Sequence, residues 1–508
     1  MPALLPRFVV LKHTNSERYV RILSKEESDR VGVIDGFLKC DGTDITSPFV
    51  KFELEIAKSD SNFVHIRSSY NNKYFLIVDP EPSNNVENRL RVVATADQPE
   101  EDISSSSCTM FKLDNRFGGK NFIFMSPRQL SFEPDTWAGE PYANGLVGRH
   151  IGIGFGGSWV KNFLVVDWDS LVIFPKEVSF KLAEDEKYLA LRQIQRHPYL
   201  QFVDKDNGDD TTEFEISTVD DGYVRIKSLS NKKFWRRSPN WIWADSDEQN
   251  NLTGLQNNKD TLFWPVKTGN STVALRNLGN YRICKALTAD RKTDCLNAVA
   301  PNITDDARME VRETRVISRE IRNITYRLKD SRIYDDKVID LASSATSHNN
   351  TDRETTLSSS FTHTSSRSST FSNNFSFSLG ARVTYKIGLP AVSQWEVEMS
   401  TEFAYGYTWG ETETKEESIQ NIHTITVPPW TRSTVSLITN QAKCDVPFSY
   451  VQHDVLSNGH TRTETMHDGM YTGINMFNLV FNIVEEKIEK PTTTPLLFLP
   501  EVGQDDDN

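Results

Sequence analysis

Between residues 371 and 409 apolar and polar side chains alternate with period two. Phe371, Phe375, Phe377, Leu379, Ala381, Val383, Tyr385, Ile387 and Leu389 hold odd positions, with Asn373 the polar exception. Even positions between them carry Ser, Asn, Gly and Thr, and the charges Arg382 and Lys386. After Pro390-Ala391-Val392 the odd series resumes as Trp395, Val397, Met399, Thr401, Phe403, Tyr405, Tyr407 and Trp409, with Glu396, Glu398 and Glu402 interleaved. Successive side chains of a strand point to opposite faces, so this pattern predicts two β-arms with one apolar and one polar face. The segment 388–393 is the predicted turn, which pairs Ile387 with Trp395 and Lys386 with Glu396. An average strand runs about 5–6 residues. A membrane-crossing strand needs about 9–11, and both arms reach that length. In a transmembrane barrel the outer face is apolar and the lumen polar. The odd set from Phe375 to Phe403 is therefore predicted to face lipid, and Arg382, Lys386, Glu396, Glu398 and Glu402 to line the lumen. A long hairpin in a soluble β-sandwich is the competing reading. The Ser/Thr-rich run 355–374 has little bulk on either face, which predicts a segment that refolds.

The first 313 residues read differently, because there a repeat dominates. Phe63-Val-His-Ile-Arg-Ser-Ser-Tyr-Asn-Asn-Lys-Tyr74-Phe75 matches Tyr223-Val-Arg-Ile-Lys-Ser-Leu-Ser-Asn-Lys-Lys-Phe234-Trp235. Upstream, Val9-Val-Leu-Lys12 with Arg18-Tyr19-Val20 matches Val178-Ser-Phe-Lys181 with Lys187-Tyr188-Leu189. Each copy divides again into strand, turn, short aromatic strand and phenylalanine strand (around Phe49–Phe52, Phe111, Phe214 and Phe263). Three such units with turn signals between short strands predict a closed all-β fold, a β-trefoil. The predicted fold class is thus all-β, with domains 1–165 and 166–313 as tandem trefoils. A third domain spans 314–490, where Thr, Ser and Glu become frequent. Its predicted strands lie within 316–340, 434–440, 448–453 and 477–486, and the tail 491–508 is predicted to be disordered.

Composition narrows the partners. Of 508 residues, 57 are Lys or Arg and 70 Asp or Glu, a net charge of −13. That balance argues against nucleic acid and anionic membranes as electrostatic partners. No stretch has the apolar core of a secretory leader, and none runs to 18 apolar residues. Cys40, Cys108, Cys284, Cys295 and Cys444 are scattered and odd in number, which predicts free thiols in a reducing compartment.

The tandem copies with Lys-Ser and Asn-Lys-Tyr or Lys-Lys-Phe, and the joint Val166-Asp167-Trp168 with Phe174-Pro175-Lys176, resemble the amaranthin family of plant lectins over residues 6–313. Residues 314–490 resemble the aerolysin-type β-pore-forming module, through the Ser/Thr-rich stem, the amphipathic hairpin and the return at Val427-Pro428-Pro429. The resemblance implies an elongated third β-domain, a cytoplasmic or nuclear site of synthesis, and a role in plant defence or stress. It also implies binding of N-acetylgalactosamine or Gal-β1,3-GalNAc, at a site shared between subunits, and membrane association after homo-oligomerisation. The family's first-trefoil segment corresponds here to Asp79-Pro-Glu-Pro-Ser83-Asn84-Asn85, which has no Trp, so Asn84 and Asn85 are its candidates. The second trefoil carries Ser238-Pro239-Asn240-Trp241-Ile242-Trp243. Alternation puts both indoles on one face and Ile242 on the other. Asn240 supplies donor and acceptor beside them, so Ser238, Asn240, Trp241 and Trp243 are candidate carbohydrate ligands. A Trp of this pair serving only as core is the alternative.

Enzyme readings fail on context. The ten histidines show no HExxH or paired-ligand spacing, so no metal site and no cofactor are expected. Gly152-Ile-Gly154-Phe-Gly156-Gly157 lacks a following helix pattern and reads as a turn. Glu396, Glu398 and Glu402 could suggest a glycosidase pair, but their regular spacing along one strand face speaks against it, and no catalytic residue is assigned. The competing function is a glycan-binding protein whose third domain only oligomerises or displays it, without insertion.

Overall fold

The computed structural model describes residues 5–79, 90–115, 120–150, 162–204, 209–247, 258–374, 376, 382–383, 387–404, 407–457 and 459–491. Twelve strands from Phe8–His13 to Phe163–Asp167 form one sheet, and twelve from Glu177–Leu182 to Met309–Glu313 form a second. In each the first strand pairs with the last: Val9 lies opposite Asp167, and Val178 opposite Glu313. Such closure leaves no free sheet edge there. These are the two tandem β-trefoils.

Aromatic rings at the repeat positions fill both barrels. Phe52, Phe75, Phe111, Phe124 and Phe132 are buried together in the first. In the second, Trp235 takes the place of Phe75 and meets Phe214 edge-on at 4.8 Å. Phe49 departs from the repeat: it lies in the 3-10 turn Pro48–Val50, half-buried, rather than in a strand. Asn72 and Lys232, equivalent in the repeat, both turn the chain through left-handed φ, at 55° and 61°. The joint packs as part of the first trefoil, with Trp168 and Leu171 buried against Val10, Tyr19 and Val50. Lys12 Nζ reaches Asp221 of the second trefoil at 2.8 Å.

The third domain is built on another scale. Its main sheet holds Val316–Tyr326, Arg332–Asn349, Thr355–Ser372, Thr412–Val427, Thr431–Leu456 and Thr461–Lys487. The expected separate strands at 434–440 and 448–453 are one strand of 26 residues, and 477–486 is the far part of one of 27. Pro447 suggests a break in the sequence, yet it pairs with Met470, and a register shift at Phe448/Tyr450 absorbs the irregularity. Two apolar clusters lie along the domain's length. Phe371, Val446, Phe448, Tyr450 and Tyr471 form the one nearer the trefoils, and Phe361, Ile425, Val427, Val435 and Leu437 the far one. The tail beyond Pro491 lies outside the described residues. All five cysteines are free, four of them buried and Cys108 half-buried.

Candidate functional site

The stem begins well before the amphipathic stretch. Thr355–Ser372 and Thr412–Val427 pair without a break from Thr355–Val427 to Thr370–Thr412. Side-chain hydroxyls cross this ladder at Ser358–Thr424 (3.0 Å), Ser368–Thr414 (2.9 Å) and Thr370–Thr412 (2.7 Å). The Ser/Thr run therefore already has its partner strand. Towards the tip, the Gly410 N–H donates to Phe371 O at 2.7 Å. Arg382 then pairs with Thr408 and Val383 with Tyr407, which puts polar opposite polar and apolar opposite apolar.

At the tip the structure corrects the sequence reading. The turn is not at 388–393 but at Gln394-Trp395, both at positive φ (48° and 66°). Two-residue turns of this kind match the right-handed twist of paired strands. Ser393 pairs with Glu396, Ala391 with Glu398, Val392 with Val397 and Pro390 with Met399. Glu396 therefore does not face Lys386, nor Ile387 Trp395. Pro390 drew the predicted turn, but it sits within Ile387–Ser393 beside a register shift between Gly388 and Pro390, a position where a strand tolerates proline. Burial changes phase there, with Ile387 and Leu389 buried, then Val392.

Among the described residues, apolar packing and two polar side chains hold the tip down. Ile387, Leu389 and Val392 pack into the cluster of Phe371, Phe448 and Tyr471, with Val397 against its edge. The Val392 N–H donates to Asn475 Oδ1, and Asn475 Nδ2 donates to Val392 O, both at 2.9 Å. One amide side chain thus imitates a neighbouring strand. Arg367 donates to Pro390 O at 2.9 Å and to Ser400 Oγ at 3.2 Å. Trp395 stands edge-on to Phe477 at 4.9 Å yet is 48% exposed, and Met399 is 45% exposed. Glu396 and Glu398 are exposed. Arg382, Val383, Glu402 and Phe403 lie in strands. Phe375, Phe377, Leu379, Tyr385 and Lys386 are outside the described residues.

At its root the stem touches the first trefoil and the joint. Lys51 Nζ donates to Asn374 Oδ1 at 3.3 Å. The Ile173 N–H donates to Ser376 Oγ at 2.8 Å, and the Ser376 N–H to Ile173 O at 3.2 Å. Arg327 reaches Tyr70 O at 2.9 Å, and Arg332 pairs with Glu55 at 2.9 Å. Burial raises the Asp330 carboxyl here to about 6 and depresses the Lys51 ammonium to about 8. The second trefoil is tied instead through Arg319, which bridges Glu313 (2.7 Å) and the buried Asp454 (2.6 Å). Burial alone would raise the Asp454 carboxyl, but hydrogen bonds from Arg319 and Arg462 hold it below the usual range.

On the second trefoil Ser238 pairs with Trp241 around the turn Pro239-Asn240. Ile242 is in the core, whereas Trp241 and Trp243 join Tyr199 on the opposite face. His197 stacks on Trp243 at 4.1 Å and 11°, and Arg236 approaches that ring at 5.5 Å. Lys292 covers Trp241 at 5.3 Å and Tyr199 at 5.5 Å. Trp241 is buried, Trp243 half-buried, and Asn240 and His197 exposed. The Asn240 amide accepts from Asn280 at 3.3 Å. Asn84, Asn85 and the glycine run 152–157 are outside the described residues. His197 and Lys292 lie far from this motif in the sequence, and only the strand pairing Tyr199–Trp243 brings His197 to it. Arg367 and Asn475 likewise carry no local signal. Among the described residues no three His, Cys, Asp or Glu side chains are grouped to hold a metal.

Two carbohydrate-type trefoils ahead of a long-stranded domain with a tucked hairpin define a lectin joined to a pore-forming toxin module. The agglutinin domain model matches residues 3–126 and 172–313, and the chain belongs to that family. The model described as Clostridium epsilon toxin ETX/Bacillus mosquitocidal toxin MTX2 matches residues 312–494. Among solved structures, lamprey immune protein is similar at 13% identity and a TM-score of 0.30, covering 62% of this chain and 93% of its own. Parasporin-2 of Bacillus thuringiensis matches at 20% identity and 0.21, covering 33% and 74%. An aerolysin-like protein of Bombina maxima matches at 12% identity and 0.22, covering 33% and 99%. A comparison with curated proteins found no match.

Proposed function

We propose that the chain binds a glycan of the N-acetylgalactosamine or Gal-β1,3-GalNAc class on a membrane, assembles with copies of itself, and inserts the 371–409 hairpin as a transmembrane β-barrel. One observation carries this reading. The tip of the amphipathic hairpin is held on the sheet by the side chains of Ile387, Leu389 and Val392 and by Asn475 and Arg367, and its root by Asn374 and Ser376, so release means breaking these contacts and not unfolding the long strands. The exposed His197 ring, stacked on Trp243, and the exposed Asn240 amide at the turn before Trp241 support a sugar face on the second trefoil, since rings stack on the C–H side of a pyranose and amides meet hydroxyls. The partners are then glycans, lipid and further copies of the chain. Nucleic acid is at odds with a net charge of −13. The action is binding and insertion rather than bond cleavage.

The test is dye release from vesicles with and without a GalNAc-terminated glycolipid, with free GalNAc as competitor. Release confined to the glycolipid vesicles and suppressed by the free sugar is expected. Glycan binding without release would leave a protein whose third domain only assembles or displays it.

A further inference from the structure

Where the first trefoil meets the third domain, a cleft of about 250 Å³ remains between Lys51, Arg67 and Ser69 on one wall and Arg327, Asn374 and Asp468 on the other. Its charges are unevenly satisfied. Arg67 is engaged by Glu53, and Arg327 lies 3.4 Å from Asp330. Lys51 forms no ion pair among the described residues. Its ammonium has Asn374 Oδ1 at 3.3 Å and the rings of Phe8 and Trp168 at 4.8 and 4.9 Å. Burial accordingly depresses its pKa to about 8. Across the cleft, Asp468 Oδ2 accepts from the Asn374 N–H at 3.1 Å. Ser69 Oγ is buried without a hydrogen-bond partner, and Asp468 Oδ1 has none of ordinary geometry, although Tyr450 interacts with that carboxyl, which burial raises above its usual range.

Buried polar atoms are nearly always satisfied, by protein, water or ligand. A bare anion would suit Lys51 and Ser69 but be repelled by Asp468, which calls for donors. A neutral polyol would suit Ser69 and Asp468 but leave the ammonium with only the carboxylates of Asp169 and Asp468, neither within ion-pair distance, as countercharges. A ring carrying both an anionic group and hydroxyls satisfies all three. The volume is below the roughly 300–1,000 Å³ of drug-sized sites, which suits one sugar unit rather than an oligosaccharide. We propose that this cleft is a second saccharide site, taking one carboxylate- or sulfate-bearing sugar, with its charge on Lys51 and its hydroxyls on Ser69 and Asp468. It stands apart from the aromatic face of the second trefoil. Because Asn374 is the root of the stem, a sugar held there also ties the first trefoil to the stem and stabilises the closed form.

The experiment is calorimetric titration of the full chain with glucuronic acid, galactose 6-sulfate, galactose and inorganic sulfate, alongside melting curves. Saturable binding of the two anionic sugars, at least tenfold tighter than galactose or sulfate, and a raised melting temperature are expected. Lys51→Met should weaken anionic-sugar binding at least tenfold, whereas Asp468→Asn should tighten it severalfold by removing a like charge. A merely structural role would weaken both. GalNAc binding serves as the folding control for each variant. Water alone fills the cleft if neither anionic sugar binds. Equal binding of inorganic sulfate would make it an ion site. Either result, or unchanged affinity in Lys51→Met, overturns the proposal. None of them bears on dye release from GalNAc vesicles, so the two readings fail separately.

Discussion

The trefoils and the third domain use the same secondary structure for opposite ends. Trefoil strands run from 4 to 9 residues, and each sheet closes on itself around a single large cluster. In the main sheet of the third domain they run from 11 to 27 residues, with two smaller clusters along their length. Past Ile474 the strand Thr461–Lys487 is paired through its backbone with Thr431–Leu456 alone among the described strands. Leu479, Val480, Ile483 and Val484 there are exposed. An open apolar edge invites another strand. The difference teaches that closure leaves a trefoil no free edge, whereas the long, partly covered strands leave one open, as the proposed rearrangement of the third domain requires.

Core truncation should show this contrast most strongly. Trp235→Ala in the second trefoil should cost about 3–5 kcal/mol, read by urea denaturation. Phe361→Ala in the far cluster of the third domain should cost less, because that cluster is smaller. Equal losses would erase the distinction. Next is the buried join: Asp454→Ala leaves Arg319 with Glu313 as its remaining carboxylate partner and should cost about 1.5–3 kcal/mol, the worth of a charged hydrogen bond. Because the Asp454 carboxyl is held below its unfolded value, its contribution is present above the ordinary carboxylate range. It is lost as pH falls through the folded pKa. Melting curves from pH 7 to 3 should therefore converge for wild type and variant at the acid end.

Smaller effects follow in the sites. Replacing Trp241 and Trp243 together by Ala should weaken glycan binding by about 1–3 kcal/mol, by analogy with buried aromatic anchors. An unchanged glycan array would move the site to the loop of Asn84 and Asn85. Asn475→Ala removes both amide bonds to Val392 and should loosen the tip by about 1–2 kcal/mol. Hydrogen exchange at 387–393 should quicken and dye release become faster. The smallest is electrical. Arg382 and Lys386 are outnumbered by three acids, Glu396, Glu398 and Glu402, on the predicted lumen side, so each copy adds a net negative charge. Reversal potentials in planar bilayers should show mild cation preference.

Much of this contrast was legible in the sequence, for physical reasons. Trefoil strands repeat, so Phe63–Ser68 and Tyr223–Ser228 announced each other. The face shared by Trp241 and Trp243, with Ile242 opposite, followed from period two alone. The turn at Gln394-Trp395 did not, because Pro390 is the stronger local breaker and only tertiary packing keeps it in a strand. Nor did the clasp of Asn475 on Val392, since the two are 83 residues apart. The stack of His197 on Trp243 depends on strand pairing in the same way.

The central claim is that the hairpin leaves the sheet and enters lipid. Met399 and Glu398 are neighbours on its return strand, and both are exposed in the closed form, so replacing either should leave the melting temperature and glycan binding unchanged. In the proposed barrel they part, with Met399 assigned to lipid and Glu398 to the lumen. An arginine facing lipid near the midplane costs about 2–4 kcal/mol, and every copy in a ring adds that cost again. Dye release from GalNAc-glycolipid vesicles should therefore be lost in Met399→Arg and kept in Glu398→Arg. A folded, glycan-binding Met399→Arg protein that releases dye like the wild type would contradict the account.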